Sequence, residues 1–195
     1  CLVTGLPDLS LDDGKLNYTV ANFKTELYPQ LSKEDKKLID LFYLKFDNEN
    51  LLKLLKDKEA VIDASLGNYS VDELLSVINS FKEELPPDKK FPSYFYQFAA
   101  LYLDSSEEER IGIEDQLYGY YYDYAMSSSN AFVSSWYELN LNVNNILAAM
   151  TARKYKLEVA KVPVGTNMVA EALRTSNARD FGLADDLEYF EQLVR

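Results

Sequence analysis

Apolar residues recur along most of this chain at steps of three and four, the spacing that lines one face of a helix, and no strand-turn-strand alternation of any length interrupts them. Cap and breaker residues fall between the periodic stretches. After a short extended opening, a helix is expected from about Asn17 to Leu27, stopped near Pro29. Ser32, with Asp35 three residues on, caps a long helical segment. Ser70-Val71-Asp72-Glu73 is a capping box opening a helix whose apolar face is Leu74, Ile78, Phe81 and Leu85. Pro86, Pro87 and Pro92 then remove donors and restrict their neighbours, so the expected subdomains are 1–88 and 89–195.

Beyond the prolines, Tyr94, Phe95, Phe98, Leu101 and Tyr102 share a helix face. Ser105-Ser106-Glu107-Glu108-Glu109 caps another helix, which continues through Leu117, Tyr118, Tyr121, Tyr122 and Ala125. Ser127-Ser128-Ser129-Asn130 marks a turn or a kink, and Val162-Pro163-Val164-Gly165 breaks the long segment that follows. A short helix is expected near Asn167 to Arg174. A final one is expected from Ala184 onward, with Leu183, Leu187, Phe190 and Val194 at helical spacing. The fold class is all-α. Because this last pattern runs out without a glycine cap or a polar tail, the chain reads as a fragment or a domain of a longer protein.

Two long segments resemble one another. Phe42 to Lys58 aligns with Tyr137 to Arg153 at an offset of 95 residues, the separation of Asn50 and Asn145. Leu44/Leu139, Asn50/Asn145 and Leu52/Leu147 are identical, while Phe46/Leu141, Leu51/Ile146, Leu55/Met150 and Lys58/Arg153 keep their chemical type. Each asparagine lies four residues from apolar side chains on both sides, so it points inward, where its amide must find a hydrogen-bond partner such as an exposed carbonyl or loop backbone in a neighbouring helix. Lys58 and Arg153, near the helix C-termini, complement the helix dipole. A duplicated helical unit suggests a scaffold of two related subdomains.

Composition narrows the chemistry. With 20 basic and 32 acidic residues the chain carries −12, a surface that repels nucleic acid. It has no histidine and a single cysteine, which removes the usual general base, the commonest zinc ligand and any internal disulfide. A reducing cytoplasm suits such a chain, and no apolar run is long enough to span a bilayer. Cys1 could start a lipoprotein, but Leu2-Val3-Thr4-Gly5-Leu6-Pro7 reads as a packed segment, and the missing initiator methionine points to residues upstream. Asn17-Tyr18-Thr19 and Asn68-Tyr69-Ser70 match glycosylation acceptors and serve equally well to open helices.

Candidate sites are few. Tyr118-Gly119-Tyr120-Tyr121-Tyr122-Asp123-Tyr124 divides on a helix between core and surface, leaving Tyr120 and Tyr124 as interface candidates. Arg153, Lys154 and Lys156 form a compact basic group that could dock a partner on so acidic a chain. Glu107, Glu108, Glu109, Glu114 and Asp115 suit an exposed first turn better than an acid-base pair or a metal site. Val164-Gly165-Thr166-Asn167 lacks the lysine of a phosphate loop and reads as a cap. Ser134 and Ser135 have no histidine to activate them. No catalytic residue, cofactor or metal is expected.

The opening Cys1-Leu2-Val3-Thr4-Gly5-Leu6-Pro7-Asp8-Leu9, the Asn50 and Asn145 helices, and Arg174-Thr175-Ser176-Asn177-Ala178-Arg179-Asp180-Phe181-Gly182 together resemble a bacterial family associated with V/A-type ATPase operons. That family is distantly similar to the C-type socket component of the rotary V-type ATPase, called d in eukaryotes, where an asparagine, aliphatic residues and a basic residue recur in related subdomains. The socket component has three subdomains and this chain has room for two, which fits truncation or a shorter relative. The resemblance implies a non-catalytic socket, linking the central shaft to the membrane rotor ring and held at the inner membrane face through protein contacts alone. A generic helical adaptor, and a carboxylate enzyme acting on carbohydrate through the tyrosines, are the alternatives.

Overall fold

The computed structural model describes residues 18–193, apart from the side chains of Lys82 and Ile111. The extended opening, Asn17 and Val194 lie outside them. Every regular element among the described residues is a helix, so the fold is all-α. The chain divides into two compact units, Cys1–Ser76 and Val77–Arg195. That division falls inside a helix, and the proline segment lies wholly within unit 2.

Unit 1 begins its described part with α1 (Val20–Glu26), where Thr19 and Asn22 form a reciprocal capping box. Pro29 stands at the start of a 3-10 turn, Tyr28–Gln30, the position where its missing N–H costs least. Helix α2 (Lys33–Lys56) follows, with Ser32 accepting the Asp35 N–H as its cap. Its buried face mixes Tyr43, Leu44, Leu51 and Leu54 with Asp47, Asn48 and Asn50. The return segment after Lys56 is irregular and ends at α3 (Val71–Lys82), where Ser70 and Glu73 exchange the expected capping bonds.

Leu74, Val77 and Ile78 of α3 are fully buried, but Phe81 and Leu85 are exposed. The helix stops at Lys82 and Glu84 takes a left-handed φ of 52°, which turns Leu85 away from the face assigned to it. In unit 2, α4 (Ser93–Asp104), α5 (Glu107–Met126) and α6 (Ala131–Lys154) pack in succession, joined by the short turns at Ser105–Ser106 and 127–130. Ser106, rather than Ser105, caps α5 with Glu109, and Asn130 caps α6, so the serine run is a turn.

Helix α7 (Met168–Thr175) is capped by Asn167 and packs on α6. Ile146 and Ala149 of α6, Val169 and Leu173 of α7, and Phe181, Leu183 and Phe190 from the segment beyond make one buried cluster. The final helix differs from expectation. Only Phe190–Leu193 (α8) is helical, and residues 184–189 form successive turns that bury Leu183 and Phe190 without helical continuity. Apolar side chains at helical spacing were satisfied here by tight turns, since both patterns bring such residues to one side.

Candidate functional site

Both repeat asparagines turn inward and hold a returning loop. Asn50 is 4 % exposed, and its Nδ2 donates to the Asp63 carbonyl at 2.9 Å. Asn145, 3 % exposed, donates to the Val164 carbonyl at 2.8 Å and accepts the Val164 N–H at 3.0 Å, a two-way bond that fixes one residue's backbone. In each unit the loop must bring its backbone polar groups close to the long helix, where water cannot reach all of them, and the amide supplies what the solvent would have supplied.

One helical turn before each asparagine stands a second buried polar residue, Asp47 in unit 1 and Asn142 in unit 2, again 95 residues apart. Asp47 accepts from the backbone N–H groups of Asn68 and Tyr69 and from Asn68 Nδ2, at 2.9 to 3.1 Å. Asn142 Oδ1 accepts from Asn167 Nδ2 at 2.7 Å, while Asn167 Oδ1 takes the Ala170 N–H and so caps α7. These residues were missed in the sequence because the aspartate obscured the match. The signal was present in the repeat, where a polar residue recurs three residues before the asparagine in both copies.

A cation completes each loop. Lys24 Nζ donates to the carbonyls of Ser65, Leu66 and Gly67 at 3.2, 2.8 and 2.6 Å. Arg174 donates through one guanidinium nitrogen to the carbonyls of Pro163 and Gly165, at 2.8 and 2.7 Å. The loops also approach their helices too closely for larger residues. A Cβ at Gly67 would overlap the Asp47 carboxylate, and one at Gly165, whose φ is +75°, would meet Leu141 at 3.1 Å.

Burial pushes the Asp47 carboxyl up to about 6, against the downward pull of the Asn68 and Tyr69 donors and the Lys24 ammonium. Burial likewise lowers Lys24, opposed by the charges of Asp47 and Asp40.

Lys58 and Arg153 are not equivalent. Lys58 follows the α2 cap residue Asp57 and is exposed. Arg153, in the last turn of α6, reaches out to the carbonyls of Ala178 and Arg179 at 2.9 and 2.8 Å, and its guanidinium lies 3.8 Å over the Phe181 ring. It thereby supports a turn in which Phe181 itself has a left-handed φ of 56°. Arg153 is thus engaged within the chain, and the exposed part of the basic group is Lys154 and Lys156, flanked by Tyr155 and Leu157.

The tyrosine run splits between core and surface. Tyr121 is buried and its hydroxyl meets that of Tyr137 at 2.8 Å. Burial raises both phenols, Tyr137 to about 12. Tyr120 is half-buried, and Tyr124 is partly exposed with its ring 5.4 Å from that of Tyr94. Glu107, Glu108, Glu109 and Asp115 are exposed and Glu114 is half-buried; Glu109 serves the α5 cap. Among the described residues no group of three or more His, Cys, Asp or Glu side chains is placed to hold a metal ion, and no helix is long and apolar enough to cross a membrane.

The opposite face of α6 carries a feature the sequence pattern did not single out. Phe132, Trp136, Leu139 and Leu147 are 71, 45, 40 and 44 % exposed, and they follow one another at helical steps with half-buried Val143 between the last two. The Phe132 and Trp136 rings stack, 6.3 Å apart and inclined by 21°. The spacing was legible, but the buried face of the same helix is also apolar, so neither face stood out.

Taken together, the described residues define an all-α protein in which two long helices each hold a returning loop through a polar pair and a cation. The chain belongs to the family described as "Protein of unknown function (DUF2764)", whose model matches residues 1–195. No curated protein and no solved structure matches it.

Proposed function

We propose that this protein is a non-catalytic scaffold, the central-stalk socket of a V/A-type rotary ATPase, set between the central shaft and the membrane rotor ring. In this role it would need no cofactor, and it would sit at the inner membrane face through contacts with shaft and ring subunits. One observation carries the reading. The asparagine motif on which the resemblance to the V-type socket component rests performs the same mechanical task in both units, holding a loop onto a long helix through Asn50 and through Asn145. A torque-bearing part requires loops that do not yield, and buried hydrogen bonds between helix and loop make local opening costly.

The test is affinity capture of the tagged full-length protein from its native membranes, with mass spectrometry of what accompanies it. Co-recovery of the head, shaft and rotor-ring subunits is expected. Recovery of the bait alone, while a tagged catalytic subunit of the same ATPase brings down the remaining complex, would end the proposal. The exposed stripe on α6 favours a second reading, a helical adaptor for another protein, which that outcome would leave standing.

A further inference from the structure

We propose that the protein self-associates through α6, with the stripe of Phe132, Trp136, Leu139 and Leu147 seated against the same stripe of a second copy and the two helices antiparallel. This goes beyond the stalk reading and does not depend on it. The first argument is charge. Charged residues make up 27 % of the chain, yet from Ala131 to Ala152 the only one is Glu138. A face that merely meets water has no reason to exclude charge. A face paired with its own copy does, because a two-fold axis sets every patch against itself and brings like charges together.

The second argument is register. With the axis near the level of Leu141, Leu139 lies opposite Val143, and Trp136 comes beside Leu147. Phe132 then covers the Thr151 methyl group. The stripe is self-complementary in this arrangement, and Glu138 lies off it, on another side of the helix.

Area sets the strength. The four side chains expose on the order of 400 Å² per copy, as large as the main apolar patch of an ordinary monomer. Two copies with their polar margins bury about 1,000 Å², the low end for a specific interface. The dimer is therefore reversible and in the micromolar range. Two chains of −12 repel one another at long range, so added salt, by screening that repulsion, tightens the pairing.

The experiment is sedimentation of the full chain from about 1 to 300 µM, a range bracketing micromolar dissociation, alongside the emission of Trp136, the only tryptophan. The expected results are a mass that doubles with concentration, a blue shift of the emission over the same range, and a midpoint that moves to lower protein concentration as salt rises. Leu147→Glu, at an exposed position and leaving the probe in place, should weaken association roughly tenfold or more, with an unchanged circular dichroism spectrum and melting temperature. A monomer throughout would overturn the proposal. So would a dimer that Leu147→Glu leaves intact, or an emission shift seen only when a different protein is added.

Discussion

Replacing Asn145 by alanine should loosen the loop it holds and lower the stability of the chain measurably. The side chain makes two bonds to one residue's backbone, at 2.8 and 3.0 Å, and is 3 % exposed. Truncation deletes both bonds and leaves the Val164 N–H and C=O without their partner. Each orphaned group costs about 1–3 kcal/mol when fully buried. Val164 is half-buried, so water recovers part of that loss. The remaining cost is about 2–4 kcal/mol, which for a chain of this size lowers Tm by roughly 5–12 °C.

Urea unfolding followed by Trp136 emission suits the measurement, because the probe stands on α6 itself. Exchange of the Val164 amide then supplies the local readout, and its protection should fall with the global change. Asn145→Asp is the sharper control. It keeps an oxygen for the Val164 N–H, but sets a second acceptor, charged and buried, against the Val164 carbonyl. Despite near-identical size it should cost at least as much as alanine. A cost below about 0.5 kcal/mol for alanine, the scatter of ordinary surface changes, with Val164 as protected as in the wild type, would refute the reasoning.

Further expectations follow from the same geometry. Asn50→Ala loses a single bond to the Asp63 carbonyl and should cost about 1–2 kcal/mol in urea unfolding followed by circular dichroism, less than its counterpart. Gly67→Ala forces a methyl group into the Asp47 carboxylate and should destabilise by about 1–3 kcal/mol, with Asp47→Gly restoring nothing because the loop then loses its acceptor. Arg153→Ala removes two carbonyl bonds and the Phe181 contact, for about 1–3 kcal/mol, and amide exchange at residues 178–182 should rise first. The Asp47 carboxyl, raised from 3.8 to about 6 in the fold, contributes stability below pH 4 that is lost as pH rises through 6. The stability difference between wild type and Asp47→Asn should therefore shift by about 2.5 kcal/mol between pH 4 and 7, favouring wild type at the acid end. A flat difference across that range would contradict the assignment.

How much of this was readable in the sequence depended on whether local chemistry or long-range packing decided each feature. Helix starts were legible because a cap is a local device. Ser32, Ser70, Ser106 and Asn167 each satisfy an N–H three residues on, whereas Asn130, which read only as part of a turn or a kink, caps α6 in the same way. The inward amides at Asn50 and Asn145 were legible from their apolar neighbours. Their partners were not, since Asp63 and Val164 are marked by nothing but the path of the loop. Residues 184–189 defeated the periodicity argument, because turns that bury Leu183 and Phe190 reproduce helical spacing over so short a stretch. Helix α2 gave a weak apolar pattern for a physical reason: its buried face is partly Asp47, Asn48 and Asn50.

The two clamps reach the same end with different electrostatics, and the difference bears on which unit yields first. Unit 2 uses neutral groups at both helix positions, Asn142 and Asn145, and its cation, Arg174, comes from α7, the helix that the loop leads into. Unit 1 places a carboxylate at Asp47 and draws its cation, Lys24, from α1, ahead of the long helix. A buried charge costs several kcal/mol to desolvate and recovers part of that only while all its partners stay in place. Loss of Asn68, Tyr69 or Lys24 contacts therefore exposes the Asp47 site to cooperative release, whereas the neutral amide pair in unit 2 leaves no buried charge behind if one bond is lost. Fraying of α1 would withdraw Lys24 and loosen the loop 65–69 as one event. No comparable route exists through Arg174, because α7 is itself held by the loop it clamps. Native-state exchange should accordingly show residues 65–69 opening together with α1, and residues 163–167 opening only with the core that contains Ile146 and Leu173.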